Sequence, residues 1–390
     1  MDVYEPAEDS FLLQKYVKEH AFGRVLDIGT GSGIQALTAA DCKNVREVVA
    51  VDINKRAIKE LSAKRNRKVR AIESDLFSQV NDKFNLIIFN PPYLPQDLGI
   101  NDPALYGGEK GWEVSEKFFS EVSDYLISNG KILFLFSSLT DKDKIEEMIS
   151  GRLLDFQELA TEKLPLFETL YVYLIEKSQL LIDLERKNVF GINYLTHGKR
   201  GNIFIGQQDK STLVKTHFAK SEIVKVAIKV KRAESKAINR MSNEVNWLKL
   251  LNKKNIGPKL LFYGEDYFVY EYVEGSFILD WVKGKSRKKV VFVLINVLNQ
   301  CFIMDKMGVS KEEMHHPFKH VLVDKFSVPI LIDFERCSRT EKPKNVTQFI
   351  EFISRGDLGF DIEILRSLAK KYKKDFLEES FNKIVSYLQS

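Results

Sequence analysis

From Arg24 to Lys177 the chain alternates short apolar runs with stretches of helical spacing. Arg24–Ile28, Glu47–Val51, Val69–Ile72, Phe84–Phe89 and Lys131–Phe136 are the candidate strands, and Tyr171–Glu176 supplies another near the end of this half. Between them, Ile34–Ala40, Lys55–Arg65 and Val114–Leu126 read as helices. Such alternation predicts an α/β fold with a doubly wound, mainly parallel sheet of the Rossmann-like type. In that architecture ligands lie outside the C-terminal ends of the strands, which is where the unusual residues of this chain fall.

After Lys177 the pattern changes. The second half opens with glycine-containing strands, passes through helical stretches around Ala233–Leu251, and finishes in helices from Phe349 to Leu388. No internal repeat and no low-complexity segment is seen. A length of 390 residues suits about two domains, each with its own core. We place the boundary near Lys177–Leu184, giving domains 1–177 and 178–390. Charge changes at the same place: residues 1–177 hold 22 Lys+Arg against 29 Asp+Glu (−7), and residues 178–390 hold 37 against 25 (+12). A basic second half could attract RNA, the ribosome or a nucleotide, although runs such as Lys283-Gly-Lys-Ser-Arg-Lys-Lys289 carry little aromatic interleaving. No leader and no membrane span is expected, and Cys42, Cys301 and Cys337 are too scattered for a disulfide framework. Reduced thiols and a cytoplasmic location follow.

The densest chemical signal is Asn90-Pro91-Pro92-Tyr93, directly after the apolar run Leu86–Phe89. An amide or exocyclic NH2 group is a poor nucleophile, because its lone pair is delocalised. If Asn90 Oδ1 and the Pro91 carbonyl each accept one N–H, the nitrogen is held with its lone pair towards an electrophile, and Tyr93 stacks on the planar group. The two prolines stiffen the turn before substrate arrives. The expected electrophile is the methyl group of S-adenosylmethionine. Asn90, Pro91 and Tyr93 are therefore the candidate catalytic residues.

A donor site is expected beside them. Asp27-Ile28-Gly29-Thr30-Gly31-Ser32-Gly33 follows the first strand and opens a helix, and its glycines permit a tight turn and close ligand approach. Asp52, at the end of the second strand, is placed for ribose hydroxyls. Asp75 and Leu76, after the third, are placed for the adenine amino group. Each aspartate by itself also fits a helix N-cap; three at successive strand ends before N-P-P-Y favour a cofactor site.

With Val3-Tyr4-Glu5-Pro6-Ala7-Glu8-Asp9-Ser10 and Gly107-Gly108-x-x-Gly111, these motifs resemble the HemK-like methyltransferases, in their short archaeal and eukaryotic branch. The resemblance implies a class I methyltransferase fold over residues 1–177. It implies that Pro6–Ser10 closes over the methionine part of the cofactor, adding Glu5, Pro6, Asp9 and Asn90 to the cofactor-binding set. It also implies the glutamine of the Gly-Gly-Gln motif of a peptide chain release factor as methyl acceptor, and a small zinc-binding activator subunit as partner. N-P-P-Y occurs too in enzymes that methylate the exocyclic amine of adenine. The acidic first half argues against a nucleic-acid substrate.

The second half carries the features of a protein kinase in order. Leu195–Phe204, with Gly198 and Gly201, reads as a glycine-turn hairpin over phosphates. Val226-Ala227-Ile228-Lys229 matches the strand bearing the phosphate-pairing lysine, and Glu244 is placed to pair with Lys229. Tyr270–Gly275 reads as a hinge strand, and Asp333 in Leu331-Ile332-Asp333-Phe334-Glu335 as the magnesium ligand. The catalytic loop departs from the usual pattern: in Glu313-Met314-His315-His316-Pro317-Phe318-Lys319-His320, His315 falls where the catalytic aspartate is expected and His320 where the metal-binding asparagine is expected. Residues 190–340 resemble a predicted archaeal serine/threonine kinase family related to the RIO-type kinases, which implies an α+β kinase-like fold with ATP and Mg2+. Two readings stay open: His315 as the base for a hydroxyl proton, or a nucleotide- or RNA-binding pseudokinase. A structural zinc site at His315, His316, His320 and Cys337 is disfavoured, because Pro317 breaks the helical spacing and four ligands do not assemble.

Overall fold

The computed structural model describes residues 2–96, 104–197, 201–210, 222–231, 240–356 and 359–390. The chain divides into two compact units, Met1–Asn193 and Tyr194–Ser390.

The first unit runs α1 (Glu8–His20), β1 (Gly23–Ile28), α2 (Ile34–Asp41), β2 (Val45–Asp52), α3 (Lys55–Ala63), β3 (Val69–Glu73), β4 (Phe84–Phe89), α4 (Glu113–Tyr125), β5 (Leu126–Ser137), α5 (Lys142–Ser150), β6 (Leu154–Lys163), β7 (Thr169–Lys177) and α6 (Gln179–Arg186). Its seven strands form one sheet in the order β3-β2-β1-β4-β5-β7-β6. The first five are parallel, and β7 and β6 add an antiparallel hairpin. This is the Rossmann-like arrangement that the alternation predicts, with a mixed edge.

Both faces of the sheet are covered, which is why its central strands are apolar runs rather than alternating ones. Leu86 and Ile88 of β4 and Leu133 and Leu135 of β5 pack with Leu13, Val17 and Ala39 from α1 and α2. Phe89 and Phe134 point to the opposite face, against Phe118 and Phe119 of α4, with centroids 4.7 to 6.1 Å apart. Strand β6 has no run of this kind: Leu-Asp-Phe-Gln-Glu-Leu-Ala-Thr-Glu-Lys is largely exposed, and its charges protect a sheet edge.

One register decides where chemistry is possible. Strand β1 lies between β2 and β4, with Ile28 opposite Phe89. The glycine loop leaving β1 and the Asn90 turn leaving β4 therefore emerge side by side, where the strand order reverses.

An antiparallel sheet follows, its first strand starting at Val189 and its other strands lying in the second unit. Strands β8 (Val189–His197), β9 (Gly201–Asp209), β10 (Ile223–Lys231), β11 (Leu260–Tyr263) and β12 (Tyr267–Glu271) order as β11-β12-β10-β9-β8, with α7 (Arg240–Leu251) between β10 and β11 in the chain. Then follow β13 (Gly275–Phe277), α8 (Ile278–Trp281), α9 (Arg287–Lys306), β14 (Val309–Ser310), β15 (Val321–Asp324), β16 (Pro329–Leu331), β17 (Ser338–Arg339), α10 (Asn345–Ser354), α11 (Ile362–Asp375) and α12 (Glu378–Gln389). Its core joins Leu248 and Leu251 of α7 to Val297, Leu298 and Cys301 of α9 and to Phe349, Tyr372 and Phe381 of the last three helices. No helix among the described residues is long and apolar enough to cross a membrane.

Candidate active site

At the C-terminal ends of β1, β2 and β4 lies a cavity of about 470 Å³. Its walls include Tyr4, Asp9 and Ser10, the loop 27–32, Asp52–Asn54, Asn90–Leu94 and Ala104–Tyr106. Ser74, Asp75 and Leu76 close one side, and Glu168 reaches in from the segment before β7.

The glycine loop is braced from beneath. Asp27 is buried; its Oδ2 accepts from the Thr30 hydroxyl at 2.6 Å and from the Ala36 backbone N–H at 3.0 Å. Burial pushes its carboxyl up to about 7, against the two hydrogen bonds that favour the ionised form. Asp27 thus ties the loop to the first turn of α2, and its role here is to hold the loop's shape. Gly33 is required by close packing: a Cβ would lie 2.6 Å from Leu61 Cδ1, at a φ of +82°.

Asp52 sits half-buried at the end of β2. Its Oδ2 accepts from the Gly31 N–H and its Oδ1 from the Asn54 N–H, both at 2.8 Å. Each oxygen keeps a lone pair on the cavity that it lines. Asp75 is exposed, and its carboxylate accepts from Lys117 Nζ at 2.7 Å, while Leu76 follows in the left-handed conformation (φ +46°).

Strand β4 delivers Asn90. The Asn90 Nδ2 group donates to Asp9 Oδ2 at 2.8 Å. Asp9, 5 % exposed at the start of α1, also accepts from the Tyr4 hydroxyl at 3.2 Å. With Nδ2 so held, Asn90 Oδ1 is buried and has no hydrogen-bond partner among the described residues. Buried acceptors are normally satisfied, so an orphan at a cavity wall marks where a donor of a ligand fits. Tyr93 is half-buried beside it, and burial, followed by the nearby Asp9 and Glu168 carboxylates, raises its hydroxyl well above the usual range.

The glycine pair and third glycine at 107–111 act behind this turn. Gly107 N–H donates to the Leu94 carbonyl at 3.0 Å. At Gly111 (φ +85°) a Cβ would meet the Tyr93 carbonyl oxygen at 2.5 Å, so no side chain fits against the back of N-P-P-Y. From the N-terminal segment the cavity takes Asp2, Tyr4, Asp9 and Ser10, whereas Glu5 is exposed and Pro6 half-buried outside that lining.

Two wall residues carry no separate signal in the sequence. Tyr4 lies inside the Val3–Ser10 motif. Glu168, whose Oε1 accepts from the Ser137 hydroxyl at 2.6 Å, lies in Phe-Glu-Thr-Leu, an ordinary run with no local signal.

The second unit gathers a separate group of charges. Lys229 of β10 pairs with Glu244 of α7 at 2.7 Å, both largely buried. Burial pulls the lysine's affinity for its proton down, but the Glu244 and Asp333 carboxylates outweigh it and hold the ammonium charged. Glu244 Oε1 also accepts from the Phe334 N–H at 3.3 Å. Asp333, with φ +62°, offers its backbone carbonyl to the buried Lys311 Nζ. Burial works against its ionised carboxylate, yet Lys229 and Lys311 keep it below the usual carboxylate range.

His320 Nε2 lies 2.8 Å from Glu313 Oε2, and His320 Nδ1 lies 3.9 Å from Asp333 Oδ2. Burial, then Lys311, pushes this imidazole below the ordinary histidine range. His315 packs against His316 with the rings tilted and centroids 4.5 Å apart. The carboxylate brought to His320 is that of Glu313, itself left-handed (φ +71°) and paired with Arg336 at 2.6 Å. Neither Lys311 nor Glu313 is marked by a local sequence motif. Gly201 opens β9, where a Cβ would lie 2.9 Å from the Val230 carbonyl oxygen; Gly198 lies outside the described residues.

With this geometry in hand, comparison with known proteins is informative for the first unit. Residues 7–163 match the family described as Methyltransferase small domain. The chain is 40% identical over 178 residues to the "Putative protein N5-glutamine methyltransferase" of Methanocaldococcus jannaschii, covering 40% of this chain and 89% of that protein. It is 33% identical over 166 residues to methyltransferase HEMK2 of Homo sapiens, covering 38% of this chain and 76% of the human protein. Against the release factor glutamine methyltransferase of Streptococcus pneumoniae, identity is 34% over 121 residues, 28% of this chain and 43% of that enzyme. By its N-terminal unit the chain belongs to the HemK-like family of S-adenosylmethionine-dependent methyltransferases.

Proposed function

We propose that the N-terminal unit methylates the side-chain amide nitrogen of a glutamine, that of the Gly-Gly-Gln motif of a peptide chain release factor, and that the C-terminal unit is a nucleotide-binding unit of kinase-like fold. The observation that carries the first reading is the buried, unpartnered Asn90 Oδ1, aligned by Asp9. The residues present fit the family's donor. Carboxylates of Asp9, Asp52 and Glu168 line the cavity, complementary to a sulfonium cation and to ribose hydroxyls. When bound, S-adenosylmethionine supplies a methyl group activated by the positive charge on sulfur.

Asn90 Oδ1 accepts one N–H of the incoming amide and the Pro91 carbonyl the other, which turns the nitrogen's lone pair towards the methyl. Tyr93 packs on the amide plane. With the donor bound, the N–C bond would form as the donor's S–C bond breaks and the proton on nitrogen would leave to water afterwards, so no strong base is required of the chain. Catalysis is then mostly positioning. The names of the relatives support glutamine over adenine as acceptor.

The test is mass spectrometry of a same-organism release factor after incubation with isotopically labelled donor, with the protein alone and with the small zinc-binding subunit that the family resemblance implies. Label on the Gly-Gly-Gln glutamine, lost in Asn90→Ala while the donor still binds, supports the reading. Label on adenine of added nucleic acid instead would replace it.

For the C-terminal unit the supporting observation is the Lys229–Glu244 pair beside Asp333, under a five-stranded antiparallel sheet. ATP binding, with turnover if the unit is an active serine/threonine kinase, is expected to fall in Lys229→Ala and Asp333→Ala. Salt-sensitive RNA binding that survives both variants, with no ATP bound, would favour an RNA-binding module.

A further inference from the structure

We propose that the C-terminal unit binds a divalent transition-metal cation between His320 Nδ1 and the Asp333 carboxylate, and selects it over Mg2+. The inference deepens the nucleotide-binding reading of this unit, on which it rests for the phosphate oxygens that complete the shell, but the site itself is read from its own atoms.

The tautomer is set by geometry. A carboxylate only accepts, so the 2.8 Å contact to Glu313 Oε2 places the imidazole hydrogen on Nε2. Nδ1 is left with a lone pair. It is buried and unpartnered among the described residues, and so is Asp333 Oδ1. Nδ1 lies 3.9 Å from the other oxygen of that carboxylate, Oδ2. That distance is too long for a hydrogen bond. Two donors bonded at roughly 2.1 Å to one ion lie roughly 3 to 4.2 Å apart, so the gap has the size an ion fills.

Charge points the same way. The carboxylate oxygens of Glu244, Asp333 and Glu335 lie within 4.8 Å of one another, and Glu313 adds a fourth acid behind the imidazole. Lys229 pairs with Glu244, and Arg336 with Glu313.

The donor set decides which ion. Mg2+ favours all-oxygen shells, whereas imidazole suits later first-row metals, for which affinity rises from Mn2+ to Co2+. The Glu313–His320 hydrogen bond is the familiar carboxylate–imidazole–metal relay, which orients the ring and raises its basicity.

The experiment is isothermal titration calorimetry of the full chain with Mn2+, Co2+ and Mg2+, each with and without a non-hydrolysable ATP analogue. It is paired with pulsed electron paramagnetic resonance of the Mn2+-loaded protein for coupling to a nitrogen nucleus. We expect Mn2+ and Co2+ to bind about tenfold or more tighter than Mg2+, with nitrogen coupling present. In H320N the coupling disappears and the Mn2+ and Mg2+ affinities converge. In E313Q, where the ring keeps a hydrogen-bond partner but loses the carboxylate, Mn2+ weakens about 10- to 100-fold. D333N loses binding of all three ions, which separates this site from any other on the chain. Circular dichroism melting of each variant verifies that it is folded.

Equal affinity for Mg2+ and Mn2+, or Mn2+ binding unchanged in H320N or D333N, overturns the inference. Nucleotide binding that persists in H320N with Mg2+ alone would leave the nucleotide reading standing without it. Metal binding with nitrogen coupling but no nucleotide binding would sink that reading and keep the site.

Discussion

The Asn90 amide donates its Nδ2–H to Asp9 Oδ2 at 2.8 Å across 81 positions of sequence. An amide can flip by half a turn and present either its oxygen or its nitrogen. The carboxylate removes that freedom, because it accepts and cannot donate. Asp9 is in this sense a positioning residue for the group on which the proposed reaction depends.

It follows that Asp9→Ala lets the Asn90 side chain turn. Turnover should fall on the order of 10²-fold, with KM for donor changed far less than kcat. Loss of a buried acceptor for Asn90 and Tyr4 should also cost about 1–3 kcal/mol of stability. Parallel methyl-transfer kinetics and donor titration check this; a loss confined to donor affinity would show that Asp9 acts only as a cofactor ligand.

Asp27 should make the first unit's stability fall as pH rises. Its carboxyl is pushed up from 3.8 to about 7 in the folded state by burial. Between those values the folded chain binds more protons than the unfolded chain, so unfolding free energy declines with increasing pH through that window. Asp27→Asn retains an acceptor for Thr30 and Ala36 and removes the titration. Urea unfolding at pH 4.5 and 7.5 should show the variant gaining on the wild type by on the order of a few kcal/mol at the higher pH. A difference between the two proteins that does not change with pH would count against the argument.

Gly111→Ala should damage the turn from a position outside the cavity lining. The new Cβ overlaps the Tyr93 carbonyl oxygen at 2.5 Å and sits at a φ of +85°. We expect a loss of about 1–3 kcal/mol and slower methyl transfer as N-P-P-Y shifts. Thermal melting and turnover measured together would test it, and an unaffected rate would show that the turn keeps its shape from the prolines alone.

In the second unit, Glu244→Ala strands Lys229 in a largely buried site. The cost should be about 3–5 kcal/mol in urea unfolding of that unit. The double substitution Lys229→Met with Glu244→Leu should recover most of it, because the pair's attraction chiefly offsets its own desolvation. Recovery of stability without recovery of nucleotide binding would separate the structural from the binding contribution.

The features legible in the sequence were local ones. Apolar runs such as Phe84–Phe89 mark buried strands, because both faces of a parallel sheet are covered. The glycine loop after β1 and N-P-P-Y after β4 each carry their own conformational signature. Strand β6 escaped detection, since an exposed and charged edge strand has neither a run nor a clean alternation. Lys229 and Glu244 were legible as a pair because each sits in a recognisable local pattern. Glu313 was not, since its left-handed turn and its approach to His320 are encoded in no short motif.

The sequence by itself therefore determined the α/β order, the placing of Asp52 and Asn90 at strand ends, and the family of the first unit. Only the tertiary structure decided that Asp9 orients Asn90, that Gly111 packs behind Tyr93, and that Asp27 braces a loop from a buried position. It also decided that His320, with a carboxylate behind it, turns a bare nitrogen towards Asp333. The reason is physical. Backbone preference and hydrophobic periodicity act over a few residues, whereas the direction of an amide or an imidazole is set by the partner that packing brings from elsewhere in the chain.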